Sequence, residues 1–314
     1  MLAVKTLSNN LTTYRRNVHA MGDKFEISVV GNDPLLANEQ IEIAIDEINR
    51  VEKLLSAFGD DSNIKQINRN AGIAPVKANG EIFRLISRAL QISELTHGAF
   101  DITYFTGNVA GNDNSLVENA TVKTAPYTVM QTNYQNVVLD AVKQTIFLKE
   151  KGMRIGFGAN SKGYAADRAK FILQMNGVSS GVINSGGDLL TWGTQPNFKP
   201  WTVAAADPEQ RKQPFAQLNI SDMAFATAIN AERYASIGNK KFQSAASSKK
   251  GFPVSEIKSV SIMSPTAELA DAMASPIMNI GVNAGMYLIN QLNQIACVVI
   301  DDQNRVYTSK GISI

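Results

Sequence analysis

Ile295-Ala296-Cys297-Val298-Val299-Ile300-Asp301-Asp302-Gln303-Asn304-Arg305-Val306-Tyr307-Thr308-Ser309 reads as a β-hairpin. Two β-prone runs, the apolar Ala296 to Ile300 and the mixed Arg305 to Ser309, flank a polar turn at Asp301–Asn304. Immediately before it, Thr266 to about Ile280 and Asn283 to Leu292 carry apolar residues at helical spacing. Two helices in succession followed by a hairpin break the strand–helix–strand alternation of a doubly wound sheet. The rest of the chain has the same character. Phe25 to Val30 alternates with period two, and Val137–Leu139 with Ile146–Leu148 form a second hairpin. Short strands are expected at Gly181–Asn184, Trp201–Ala205, Phe215–Leu218, Ala224–Thr227 and Val260–Met263. Helices and hairpins are mixed without regular alternation, so the fold class is α+β.

Three further helices are expected. Asn32 or Asp33 caps the first, with Pro34 at its opening position and Ile41, Ile45, Ile48, Val51 and Leu55 on one face. The second spans Asn79 to Thr96, with Ile82, Leu85, Ile86, Ala89 and Ile92 aligned. The third runs from Ser161 to Asn176 and ends at Gly177, a residue suited to a left-handed cap.

The 314 residues allow two domains or one large one. With 30 Lys and Arg against 28 Asp and Glu, the net charge is +2 and mean hydropathy is -0.10. That balance argues against a non-specific polyanion binder. The one dense basic stretch, Lys240, Lys241, Lys249 and Lys250, reads as a solvated loop. The single Cys297 excludes an internal disulfide and CxxC chemistry, and sits in an apolar run as a small buried hydrophobe. With only His19 and His97, a multi-histidine metal site is excluded. No apolar run reaches the length of about 18 residues that spans a bilayer. The opening Met1 to Arg16 has no apolar signal core and no lipid-accepting cysteine. The chain is therefore cytoplasmic or has lost a signal segment.

Four places concentrate glycine, small polar residues and charge: Met21-Gly22-Asp23, Thr96 to Thr103, Gly156 to Tyr164 leading on to Asn184–Asp188, and Ala270 to Ser275. The third is a Gly-rich turn entering a helix. Its free backbone N–H groups and positive dipole end suit an anion, and Lys162 in the first turn can reach a phosphate. The GxxxxGK[ST] spacing of a P-loop is absent. Asp271 and Ser275, four apart on a helix, share a face. A carboxylate and a hydroxyl so placed suit a hard cation such as Mg²⁺.

Taken together and in order, these segments resemble the ApbE family, the FAD:protein FMN transferases. The resemblance rests on Met21-Gly22-Asp23, Ser56-Ala57-Phe58, Ser62-Asn63-Ile64 with Asn68, Gly98 to Thr103, Lys162-Gly163-Tyr164-Ala165-Ala166-Asp167, Asn184 to Asp188, and Pro265-Thr266-Ala267 with Ala270-Asp271-Ala272. It covers residues 21–314, leaving 1–20 as an N-terminal extension. It implies a two-lobed α+β fold with mixed or antiparallel sheets, flanking helices and a ligand cleft between the lobes. It implies Mg²⁺-dependent transfer of FMN from the substrate FAD to a threonine hydroxyl of a target flavoprotein, with release of AMP. The implied metal ligands are the Ala159 carbonyl, Asp271 and Ser275. Met21, Phe58, Ala99, Phe100, Asp101 and Lys162 map to FAD-contact positions, and Asp271 and Lys162 to catalysis. The implied location is the periplasm or cell envelope, with the cytoplasm left open.

The chain also departs from the family pattern. Asp23 stands where members have Thr, Ser275 likewise, and Ala274 where some have an acid. Tyr104 to Val109 replaces a Gly-Pro-Leu-Val segment. Gly156 replaces an Asp, Thr227 to Ala231 a Thr-Ser-Gly-x-Tyr, and Ser244 to Gly251 a histidine-bearing motif. Pro276 inside the metal-bearing helix is expected to kink it. The alternative is therefore a catalytically impaired member that binds a flavin, a nucleotide or a partner protein without transfer. In that case Ser244–Ser248 is expected to be a mobile loop.

Overall fold

The computed structural model describes residues 11–57, 62–105, 133–158, 160–206, 214–229, 236–237, 240–241, 257–310 and 312. The chain divides into two compact units, one of residues 1–52 with 159–314, the other of residues 53–158. The first unit opens with β1 (Thr12–Ala20), β2 (Asp23–Gly31) and all but the last turn of α1 (Pro34–Leu55). The second holds α2 (Asn63–Arg69), β3 (Val76–Lys77), α3 (Gly80–Leu95), β4 (Thr103–Phe105), β5 (Val137–Asp140), β6 (Thr145–Leu148) and β7 (Met153–Ile155). The first unit resumes with α4 (Ser161–Met175), β8 (Gly181–Ser185), β9 (Asp188–Trp192), β10 (Thr202–Ala206), β11 (Pro214–Asn219) and β12 (Ala224–Ile229). It ends with β13 (Ser236–Ile237), β14 (Lys240–Lys241), β15 (Ile257–Ser264), α5 (Ala267–Ile280), α6 (Val282–Ile289), β16 (Ala296–Asp301) and β17 (Val306–Thr308).

The first unit is built on one eight-stranded sheet in the order β1-β2-β8-β9-β12-β15-β16-β17. Every neighbouring pair in it is antiparallel. The α+β class expected from the sequence is thus the observed one. On one face, Phe25, Ile27, Val29, Ile183, Leu190, Ala226, Val260, Ile262 and Cys297 are buried. The helices α4 and α5 pack on that side, with α4 against β8 and β9 and α5 against β12 and β15. On the other face Phe225, Met263 and Val298 join Leu218 and Ile220 in a smaller core, with Trp201 and Val203 against it. Phe225 alternates with Ala224 and Ala226 along β12, as the two-residue period of a strand demands. Each large side chain fully buried in this way is worth about 1.5–3 kcal/mol. Burial pushes the Cys297 thiol up to about 12, so it acts as the inert small hydrophobe expected.

Helix starts follow the sequence closely. Asp33, not Asn32, caps α1, its Oδ1 accepting the N–H groups of Leu35 and Leu36 at 2.8 and 3.3 Å. Asn79 caps α3 through Glu81 N–H at 2.7 Å. Gly177 takes φ +83 after α4, and Val178 N–H closes back on Leu173 C=O at 3.0 Å. The helix α5 continues through Pro276 to Ile280. Residues 12–20, set apart in the extension, form β1 and pair with β2 along its whole length. Ser244–Ser248, Lys249, Lys250 and residues 106–109 lie outside the described residues. No helix among the described residues is long and apolar enough to cross a membrane.

The second unit is layered differently. A three-stranded sheet, β3-β6-β5, and a two-stranded one, β4-β7, are both antiparallel. Ile82, Leu85, Ile86 and Ala89 form the buried face of α3. Asn68 fixes α2 to β7, its amide donating to Ile155 C=O at 3.0 Å and accepting Ile155 N–H at 2.8 Å.

Candidate functional site

Two tight turns and two helix starts meet in the first unit. The β1–β2 turn is Met21-Gly22, with φ of +54° and +75°. Both central residues at positive φ give the turn that matches the twist of a hairpin. The β8–β9 turn is Gly186-Gly187, at φ +68° and +110°. Because β2 pairs with β8, Phe25 opposite Ser185, the two turns lie side by side. Gly186 N–H donates to Lys24 C=O at 3.0 Å. A Cβ at Gly186 would stand 2.8 Å from Asp23 Cγ, so no other residue fits there without moving the carboxylate.

Asp23 Oδ2 accepts from Lys162 Nζ at 2.9 Å, which joins the start of β2 to the first turn of α4. That hydrogen bond, with one from Lys24 N–H, holds Asp23 below the usual carboxylate range. Burial works against the Lys162 charge, but the Asp23 hydrogen bond and the fields of Asp23, Asp271 and Asp188 outweigh it and raise its pKa. Asp188 begins β9, and its Oδ1 accepts Thr227 N–H at 3.0 Å. Burial pushes Asp188 up, and Lys162 pulls it down. Asp271 lies on α5, and the N–H of Gly163 in the first turn of α4 hydrogen-bonds its carboxylate. Burial, then the field of Asp188, pushes Asp271 up to about 7 against Lys162 and that amide. Its Oδ2 is buried with no hydrogen-bond partner. One ammonium therefore stands among three carboxylates at a helix N-terminus.

The Lys162-to-Asp167 motif also sets this geometry mechanically. Gly163 lets α4 approach the start of α5 so closely that a Cβ would stand 2.6 Å from Ala267 C and 2.8 Å from Glu268 N. One turn further on, Asp167 Oδ1 and Oδ2 accept Ala267 and Glu268 N–H, each at 2.8 Å. Thr266, the N-cap residue, makes no side-chain capping bond, so α5 is capped from a neighbouring helix. Burial pushes Asp167 up from 3.8 to about 6, and the Glu268 carboxylate adds to the rise against the two amides. A carboxyl raised in this way binds more protons folded than unfolded. Its contribution to stability falls as pH rises from 3.8 to about 6. Asp167→Asn is expected to flatten the urea midpoint between those pH values; a profile parallel to the parent would remove Asp167 as its source.

Ser275 lies one turn along α5 from Asp271 and is exposed. Met21 is half-buried, with its N–H on Glu52 Oε1 at 2.8 Å. Ala159 and Phe58 are outside the described residues. In the second unit, His97 and Gly98 take φ of +51° and +80°, so His97 is the turn residue after α3. Phe100 is buried, and its N–H donates to Thr96 Oγ1 at 3.0 Å. The Asp101 carboxylate accepts Thr103 N–H and O–H at 2.8 and 2.7 Å and Tyr134 N–H at 3.1 Å, while burial raises its pKa. Ala99, beside them, is half-buried. The sequence reading did not single out Asp23 and Asp188 as partners of Lys162, although both stand in motifs it quoted.

The family model described as the ApbE family matches residues 21–299. An FAD:protein FMN transferase of Klebsiella pneumoniae is 25% identical over 302 residues, covering 94% of this chain and 92% of the relative. One from Treponema pallidum is 25% identical over 296 residues, covering 87% and 81%. The ApbE protein of Thermotoga maritima superposes with a TM-score of 0.73 at 22% identity, over 95% of this chain and 97% of that one. The flavin transferase ApbE of Vibrio cholerae gives 0.73 at 17% identity, over 96% and 98%. With the family model matched from the first hairpin turn into β16, and the fold shared over 95% of the chain, the chain belongs to the ApbE family.

Proposed function

We propose that this chain is an FAD:protein FMN transferase, moving FMN from FAD to a threonine hydroxyl of a target flavoprotein and releasing AMP. The charge arrangement at the start of α4 carries the reading: Lys162 among Asp23, Asp188 and Asp271, with one Asp271 oxygen buried and unpaired. Phosphoryl transfer depends mainly on positioning and on neutralising charge. In the reaction a bond forms between the threonine oxygen and the FMN-side phosphorus, and the pyrophosphate bond to AMP breaks. The hydroxyl proton leaves to solvent. Lys162, oriented by Asp23, supplies positive charge to the phosphates, and the α4 N-terminus adds its dipole. By the same reading the target lies at the cell envelope.

Magnesium fits this arrangement. The orphaned Asp271 oxygen calls for a cation or a donor. Among the described residues no three His, Cys, Asp or Glu side chains form a metal group. Mg²⁺ does not require one, because one or two carboxylates together with substrate phosphates and water commonly hold it. Asp271, the Ala159 carbonyl and the Ser275 hydroxyl would hold it here. Bound there, Mg²⁺ would supply charge neutralisation and polarisation of the pyrophosphate.

One observation favours the second reading, a family member that binds a flavin, nucleotide or partner without transfer. A Cβ at Gly156 would stand 3.0 Å from the Tyr104 ring. An acid at that position is incompatible with the ring where it lies. The deciding experiment mixes the protein, FAD, Mg²⁺ and a target flavoprotein domain, and reads covalent flavin fluorescence on a denaturing gel. A band dependent on FAD and Mg²⁺ supports transfer; FAD binding by calorimetry without a band leaves the second reading in its place. Lys162→Ala is expected to weaken FAD binding about tenfold, the loss of one charge contact of roughly 1.4 kcal/mol. Unchanged affinity in calorimetry would remove Lys162 from phosphate recognition.

A further inference from the structure

Where α4 begins, the buried side chain of Asn160 and one carboxylate oxygen of Asp271 lack partners, and one cause accounts for both. Asn160 is the N-cap residue of α4 and is 0% exposed. Neither its Oδ1 nor its Nδ2 has a hydrogen-bond partner. An N-cap asparagine ordinarily accepts the N–H of the second or third helical residue. Here the third residue is Gly163, and its N–H goes to the Asp271 carboxylate from α5. Asp271 has taken the amide that the cap would use. Its own Oδ2 remains buried and unpaired at the same helix end. If stability alone governed the position, an apolar side chain of similar volume would serve better than an unsatisfied amide.

Two orphaned oxygens, one from a carboxylate and one from an amide, form the donor set of a hard divalent cation. We propose that Asn160 Oδ1 is a side-chain ligand of the divalent cation held by Asp271, so that cap and carboxylate share one cation at the N-terminus of α4. The proposal rests on the transferase reading of the Asp271 site and assigns it one more ligand. The Asn160 Nδ2 group is then left to donate to an anion that the cation brings with it, such as a phosphate oxygen.

The test is Mn²⁺ binding to the full chain without FAD, read by the free-ion electron paramagnetic resonance signal. Cation-free melting temperature is measured alongside. Asn160→Leu is expected to bind Mn²⁺ at least about tenfold more weakly, while its cation-free melting temperature equals or exceeds that of the parent. Asn160→Asp, which keeps the oxygen, is expected to retain parental affinity or better. Parental affinity in Asn160→Leu overturns the proposal. So does a loss of affinity in both variants with lower melting temperatures, which marks a structural role. If Asp271→Ala abolishes binding and Asn160→Leu does not weaken it, only the Asn160 assignment falls. If the parent binds no Mn²⁺, the cation site falls with it.

Discussion

Asp271→Ala is expected to lower Mg²⁺-dependent flavin transfer by at least about 10²-fold, since a catalytic cation supplies several kcal/mol of charge stabilisation. The exposed Ser275 hydroxyl, one turn away, carries no charge and cannot replace the carboxylate. The same variant is expected to be at least as stable as the parent without Mg²⁺. Asp271 is raised from 3.8 to about 7 by burial and by Asp188, so the folded chain binds more protons than the unfolded chain across that window. Its contribution therefore falls as pH rises through it, a cost of up to about 4 kcal/mol above pH 7. Removing the group removes that cost. Adding Mg²⁺ should raise the melting temperature of the parent and leave that of the variant unmoved. A variant that transfers FMN at the parental rate would take Asp271 out of the mechanism. A variant that melts well below the parent would make it a structural residue.

The parts of this fold that could be read from the sequence obey one periodicity each. The helix α3 shows Ile82, Leu85, Ile86 and Ala89 on a single face and an asparagine cap, and its ends fall within one residue of expectation. Of the elements that escaped, three did so for separate physical reasons. The strand β1, Thr-Thr-Tyr-Arg-Arg-Asn-Val-His-Ala, is a sheet edge, where charge and exposure replace alternation. The strand β9 buries Leu190, Thr191 and Trp192 in succession, being covered on both faces, so period two is erased. The helix α2 has two buried residues, Ile64 and Ile67, too few to establish a period. What appeared in the sequence as the Ser62-Asn63-Ile64 motif is partly its cap, with Ser62 Oγ accepting Lys65 N–H at 3.2 Å.

The site was legible as residue types and opaque as pairings. Lys162 was recognised as a charge at a helix start, but its partner Asp23 lies 139 positions away, in a turn whose register depends on the β2–β8 pairing. Gly156 and Tyr104 appeared as two independent departures from the family pattern. In the structure they belong together, because the bare Cα of one accommodates the ring of the other. Asn160 passed as one more polar residue in a Gly-rich turn. Only the diversion of the Gly163 amide to Asp271 shows that it is unsatisfied.

Gly163→Ala is expected to damage both stability and activity. In an exposed helix interior this substitution would gain about 1 kcal/mol of helix propensity. Here the added Cβ meets backbone atoms of Ala267 and Glu268, which cannot rotate out of the way. The start of α5 must move instead. That movement stretches the two Asp167 hydrogen bonds that cap α5, now 2.8 Å each. Overpacking costs about 1–3 kcal/mol and a weakened cap about 1 kcal/mol. The loss exceeds the propensity gain, for a net destabilisation of about 1–3 kcal/mol, read as a lower urea midpoint at unchanged slope. Activity should fall further than stability does. Asp271 is on the displaced helix and is held at the site by the N–H of residue 163 itself. A shift of about 1 Å at a reacting centre can cost about 10²-fold in rate. Transfer measured well below the melting temperature should therefore drop sharply while the chain remains folded. A Gly163→Ala chain with parental midpoint and parental turnover would mean that α5 yields freely, and the close approach of the two helices would no longer explain why glycine follows Lys162.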